Sequence, residues 1–192
     1  MGNCERKLFM KSLAYVAFLR GINVGGNKLI SMEDLKKAFA SLGFANIRTV
    51  LASGNVVFET ADTDPAVLTA GIEQKLQSRF GLEIAVRVRT AEQIQALVAS
   101  KPFKKTQVTP QTRLHVTFLA LNLVQGLKVS QRLKGTDFEI VRVSAGEVCS
   151  TVEVSAKRGT TDLMKVLEKQ FGKKITTRTW NTVEQIGKLL ES

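Results

Sequence analysis

Tyr15-Val16-Ala17-Phe18-Leu19-Arg20-Gly21-Ile22-Asn23-Val24-Gly25-Gly26-Asn27-Lys28 decides how this chain is read. Its first five residues are apolar without alternation, which predicts a strand buried on both faces of its sheet. The remainder places Gly21, Gly25 and Gly26 within six positions, so the backbone is free to take positive φ and to approach a ligand closely. Arg20, Asn23 and Lys28 supply hydrogen-bond donors around that bend. Two readings stand side by side. One is an anion-binding loop that feeds a helix N-terminus. The other is a plain strand-to-helix loop, with glycine for turning and lysine for solubility.

Working outward, Ser31 is a good N-cap with Asp34 at the third helical position, and Leu35, Ala38, Phe39 and Leu42 share one helical face that closes at Gly43. Ile47 to Leu51 reads as the next strand, Ser53-Gly54-Asn55 as a tight turn, and Val56-Val57-Phe58 as the returning strand. Asp64-Pro65 opens a second helix, with Leu68, Ile72, Leu76 and Phe80 facing inward before Gly81. Ile84, Val86 and Val88 alternate with Ala85, Arg87 and Arg89, which predicts a half-exposed fourth strand. Thr90 and Gln93 begin a helix carrying Ile94, Leu97 and Val98, stopped by Lys101-Pro102. The order is βαββαβ plus a trailing helix, the split-βαβ or ferredoxin-like arrangement.

The second half echoes the first. Val16-Ala17-Phe18-Leu19 returns as Val116-Thr117-Phe118-Leu119, and Ser53-Gly54-Asn55-Val56-Val57 as Ala145-Gly146-Glu147-Val148-Cys149. Phe80-Gly81, Ile84 and Arg87 return as Phe171-Gly172, Ile175 and Arg178, and Glu92-Gln93-Ile94 as Glu184-Gln185-Ile186. Collinear echoes at nearly constant offset indicate an internal repeat. The expected architecture is therefore an α+β fold of two tandem ferredoxin-like subdomains, 13–100 and 113–192. A flexible tail covers 1–12 and a connector of two prolines and three lysines covers 101–112. The copies differ at the loop: Arg20-Gly-Ile-Asn-Val-Gly-Gly faces Ala120-Leu-Asn-Leu-Val-Gln-Gly, so the first loop reads as specialised.

In ferredoxin-like topology the end of strand 1, the start of helix 1 and the turn between strands 2 and 3 share one edge. Arg20, Asn23, Gly25, Gly26, Lys28, Ser53 and Asn55 are expected around one concavity there, with the free N–H groups of the helix start at Ser31, and Gly21 counts with them as a candidate ligand-binding residue. Phosphate or carboxylate suits such donors. A hairpin turn alone also explains Ser53-Gly54-Asn55. The polar stretch Thr176-Thr177-Arg178-Thr179-Trp180-Asn181-Thr182 again has two readings. Thr182 and Gln185 cap the last helix while Trp180 packs, or Arg178, Trp180 and Asn181 join a surface for a stacked base or a phosphate.

The net charge of +11 and pI near 9.9 favour a polyanionic partner. Residues 1–100 hold 12 Lys+Arg against 9 Asp+Glu and residues 101–192 hold 16 against 8, so the basic excess lies in the second half. Two cysteines make no disulfide framework, which points to a reducing cytoplasm. No apolar run approaches a membrane span. His115 is the only histidine and lies in an apolar strand, so it reads as a packed side chain, and no zinc constellation is visible. Nucleophile-elbow, Walker and dinucleotide fingerprints are missing, and neither a metal nor a cofactor is expected.

Leu19-Arg20-Gly21-Ile22-Asn23-Val24-Gly25-Gly26, Ser53-Gly54-Asn55-Val56-Val57-Phe58 and Thr176-Thr177-Arg178-Thr179-Trp180-Asn181-Thr182-Val183 appear in that order. On these motifs the chain, from Tyr15 to Leu190, resembles a bacterial family known as domain of unknown function 1697. Thr179 departs from the family pattern, which has Asn before the Trp. The resemblance implies a cytosolic bacterial protein of two ferredoxin-like subdomains and no established activity, substrate or cofactor. The sequence thus leads to a protein that binds a phosphorylated ligand, nucleotide or nucleic acid at the glycine-rich loop. The alternatives are an enzyme acting on such a ligand, with Arg20 and Lys28 as electrostatic stabilisers, and an interaction scaffold. The oligomeric state is open, a monomer being the simpler expectation.

Overall fold

In the computed structural model, which describes residues 12–26, 28–120, 131–132, 138–144, 146–154 and 161–191, the unbroken apolar run becomes β1 (Ser12–Leu19). It is hydrogen-bonded on one side to β3 (Asn55–Ala61) and on the other to β4 (Val86–Thr90), antiparallel to both. β2 (Ala45–Val50) pairs outside β3, giving the order β2-β3-β1-β4. α1 (Met32–Ala40) joins β1 to β2, and α2 (Pro65–Phe80) joins β3 to β4. Because alternate strand residues point to opposite faces, Tyr15, Ala17 and Leu19 pack beneath Leu35 and Phe39 of α1 and Leu68, Ile72 and Leu76 of α2. Val16 and Phe18 face the other way, into a second core.

The second sheet has the order β6-β7-β8-β5-β9, all antiparallel, built from β5 (Thr112–Phe118), β6 (Gln131–Arg132), β7 (Phe138–Val143), β8 (Glu147–Glu153) and β9 (Thr176–Thr179). Leaving β6 aside, β7-β8-β5-β9 takes the places of β2-β3-β1-β4. α4 (Thr161–Phe171) covers its outer face through Leu163 and Leu167. α3 (Ala91–Ala99) and α5 (Trp180–Glu191) pack together beside the contact between the sheets, where Val98 lies so close to Gly187 that a Cβ there would stand 3.0 Å from Val98 Cγ2. The architecture is α+β: two antiparallel sheets and five helices among the described residues.

Several details differ from the expectations. Strand 4 is not half-exposed: Arg87 and Arg89 are only 8% and 2% accessible, because Arg89 reaches into the second sheet and Arg87 folds back onto Val86 O and towards Glu73 of α2. Polar alternation reports an exposed face only when nothing packs on it. The first strand begins at Ser12, which the sequence placed in the tail; residues 1–11 lie outside the described ones. So do Asn27, Ala145, and residues 121–126 of the compared second loop. Leu51 leaves the second strand for a turn with φ of 59°. The last helix starts at Trp180, and Thr179 takes the cap position instead of Thr182, its Oγ1 accepting from Thr182 N at 3.4 Å. Thr and Asn are both good N-caps, so this role also accounts for the departure from the family pattern at position 179.

Candidate functional site

The contact between the sheets begins with Phe18 and Phe118, stacked with centroids 4.0 Å apart. A pair of crossing arginines brackets them. Arg178 of β9 reaches into the first unit, donating from Nε to Asn55 Oδ1 (2.5 Å) and from Nη2 to the carbonyls of Leu19, Ser53 and Gly54 (2.5, 3.1 and 3.3 Å). Arg89 of β4 reaches the opposite way. Its Nε donates to Glu147 Oε1 (2.6 Å) and its Nη2 to the carbonyls of Leu119 and Gly146 (2.7 and 2.8 Å). Each guanidinium also lies over the other unit's phenylalanine, Arg178 over Phe18 and Arg89 over Phe118. Strand register makes the match explicit: Val16 stands opposite Arg89 and Val116 opposite Arg178. The counterpart of Arg178 is therefore Arg89. Sequence spacing had selected Arg87, since Gly81 to Arg89 is two residues longer than Gly172 to Arg178.

This geometry takes Asn55 and Arg178 out of solvent, while Ser53 stays half-buried in the turn. Asn55 is fully buried, its Nδ2 donating to Val50 O at 2.8 Å. Burial pushes the Arg178 guanidinium down to about 10 through desolvation, and its partners are carbonyls, an amide and the Thr176 hydroxyl. Gly54 sits at the centre of the knot with φ of 77°; a Cβ there would stand 2.8 Å from Ile22 Cγ1 and 2.9 Å from Leu19 Cβ. Both the backbone conformation and the space require glycine.

The glycine-rich loop is folded by Asn23. Its side chain donates to Ile30 O and Ala52 O and accepts from Ile30 N, each at 2.9 Å, while its own φ is 55°. Gly21, Gly25 and Gly26 all adopt positive φ. At the helix start, Ser31 Oγ accepts from Asp34 N, and Glu33 and Asp34 stand in the first turn. Two carboxylates there oppose an anion at that helix end.

Arg20 and Lys28 point to a different place. Arg20 pairs with Glu168 of α4 and donates to the Lys173 carbonyl, while Lys28 Nζ donates to Glu83 O at 2.5 Å. Together with Lys173 and Lys174 of the second unit they line a cleft of about 710 Å³. Glu73 and Glu83 are its only acidic lining residues among the described ones, and Glu73 is engaged by Val86 N at 2.9 Å, Arg87 at 3.8 Å and Lys174 at 3.9 Å. The expected single concavity thus separates: Asn55 is drawn into a buried tie with Arg178, Ser53 stays half-buried in the turn beside it, and Arg20 and Lys28 border an open basic cleft. Asn23 holds the loop between them. Trp180 packs edge-on against Phe103 at 5.3 Å, and Asn181 is exposed at the start of α5.

Sequence reading missed Arg89, Glu147, Glu168, Lys173 and Lys174. The signal for Glu147 was present in its alignment with Asn55. The lysine pair follows Gly172 where the first unit has Leu82-Glu83. His115 is buried, and desolvation lowers its pKa. Cys149 is buried and its thiol is pushed up to about 12, mainly by desolvation, which removes it as a nucleophile at neutral pH. Among the described residues no group of three or more His, Cys, Asp and Glu is placed to hold a metal. No helix among them is long and apolar enough to cross a membrane.

Comparison with known proteins adds the family. The model described as "Protein of unknown function (DUF1697)" matches residues 13–149, which includes the glycine-rich loop and the turn at Gly54. The chain belongs to this family. No curated protein matches its sequence. Among solved structures it is similar to conserved bacterial protein SP0830 from Streptococcus pneumoniae, with 21% identity and a TM-score of 0.70 over 94% of this chain and 99% of that one. At that identity the likeness is one of fold.

Proposed function

We propose that this DUF1697 protein binds a phosphorylated or otherwise anionic ligand in the cleft lined by Arg20, Lys28, Lys173 and Lys174, between two ferredoxin-like units related by an internal repeat. The observation that carries the reading is convergence: four cations from both units border one cleft with two carboxylates. Three of them stand where the other unit has no cation, Arg20 against Ala120, Lys173 against Leu82 and Lys174 against Glu83. Packing alone does not require that asymmetry. Lysines act as mobile point charges for phosphate, and Arg20, oriented by Glu168, offers a fixed guanidinium beside them. The shared strand order of the two sheets supports the repeat, and the bacterial family suits a cytoplasmic protein.

The test is calorimetric titration with pyrophosphate at low and moderate salt, on the parent chain and on Lys173→Glu/Lys174→Glu. The expected result is saturable binding weakened about tenfold or more by the double variant, each lost charge-assisted contact being worth about 1.5–3 kcal/mol. If pyrophosphate fails to bind, or binds equally to both proteins, the cleft is not an anion site. A DNA or RNA oligonucleotide that binds with a steep salt dependence would identify the ligand as polymeric.

A further inference from the structure

A second cleft, of about 760 Å³, shares no lining residue with the first and lies between the connector that follows α3 and the inner face of β7 and β8. Lys101, Lys104 and Lys105 form its connector wall, all three exposed. Arg142, held by a hydrogen bond to Ser100, stands at the junction of wall and floor. Glu139 and Glu153 belong to the floor. Among the described residues, none of these four cations forms an ion pair, although two carboxylates line the same cleft.

Glu153 is occupied, accepting from Thr112 Oγ1 at 2.6 Å and from Thr109 Oγ1 at 3.4 Å. Glu139 is half-buried and has no side-chain partner among the described residues. Lys101, which turns the chain into the wall, holds a φ of 43°, a conformation that a non-glycine residue adopts only under constraint.

Opposite charges kept apart across a cleft select a ligand that is itself two-ended. A ligand carrying only negative charge meets Glu139; one carrying only positive charge meets the lysines. A ligand with an anionic group at one end and N–H donors at the other satisfies both. The half-buried Val141 and Pro102 give the space between them apolar surface for a flat ring, and the volume falls within the range of small-ligand pockets, roughly 300–1,000 Å³.

We propose that this cleft is a nucleotide site selective for bases with an exocyclic amino group: the phosphate rests on Lys101, Lys104 and Lys105, and the amine donates to Glu139. Carboxylates accept from such amines in base readout. The site is separate from the Arg20 cleft and stands or falls independently of it.

The experiment is calorimetry with AMP and CMP and with their oxo counterparts IMP and UMP, in the Lys173→Glu/Lys174→Glu background so that binding at the first cleft is weakened. The expected result is single-site binding of AMP or CMP, about tenfold tighter than its oxo partner, a ratio in keeping with one charge-assisted hydrogen bond. Glu139→Gln abolishes that preference while the protein still binds, and Lys104→Glu/Lys105→Glu weakens both members of the pair. Absence of saturable binding by all four nucleotides overturns the proposal. So does equal affinity within both pairs, or an amino preference that survives Glu139→Gln.

Discussion

Arg89 and Arg178 perform the same task in opposite directions, yet they are buried on different terms. Both leave a short edge strand, cross to the other sheet and take the carbonyl at the end of its central strand, Leu119 for one and Leu19 for the other. Arg89 finds a carboxylate, Glu147, at 2.6 Å. Arg178 finds Asn55 in the equivalent place and has no carboxylate within ion-pair distance among the described residues. A buried cation is costly to desolvate, and a carboxylate offsets that by Coulomb attraction, whereas carbonyls and an amide offset it through dipoles alone. The depression of Arg178, caused by desolvation without an opposing charge, is the signature of the second solution. The lesson is that matching strand positions in the two sheets fix where an arginine goes, while one neighbouring residue decides whether a carboxylate or neutral dipoles face its charge.

The largest expected effect breaks the carboxylate-backed tie. Arg89→Met leaves Glu147 as a nearly buried, uncompensated charge, and is expected to lower unfolding stability by about 3–5 kcal/mol. Urea titration checks it, and adding Glu147→Leu should recover most of the loss because the stranded charge is then gone. Arg178→Met strands only neutral acceptors, so its cost is expected at about 1–3 kcal/mol by the same measurement. If Arg178→Met proves the more damaging, the distinction between the two burials is wrong.

The smallest effect concerns the buried histidine. His115 lies on the opposite face of β5 from the arginine ties, and among the described residues its Nδ1 has no hydrogen-bond partner. Desolvation, the largest influence on it, lowers its pKa from the ordinary 6.5. The unfolded chain therefore takes up a proton at higher pH than the folded one. Stability should be unaffected by this group above about 6.5, fall as pH drops from there to the lowered folded value, and then level off. Urea midpoints measured across that window should flatten in His115→Leu; an unchanged slope would show that His115 is not the titrating group.

Much of the fold was readable because it rests on local rules. The unbroken apolar run at Tyr15–Leu19 announced a strand buried on both faces, and Ser31, Asp64 and Thr90 marked helix starts through the orphan N–H groups they cap. The basic cleft was half readable: Arg20 and Lys28 stood out beside glycines, but Lys173 and Lys174, some 150 residues away in the chain, had no local signal tying them to the loop. Arg87 and Arg89 misled for a related reason. Alternation says which residues share a face, and only the neighbouring layer says whether that face is wet.

The sequence by itself determined the element order of the first hundred residues, their apolar faces, the caps and the need for glycine at the tight turns, since all of these follow from backbone sterics and periodicity within a few residues. The tertiary structure alone decided that Asn55 and Arg178 close a buried tie, that Arg89 is the true counterpart of Arg178, and that Arg20 and Lys28 meet two lysines of the other unit. Those pairings bring together residues remote in the chain, and their energies depend on distance and desolvation, quantities that exist only once the two sheets have packed.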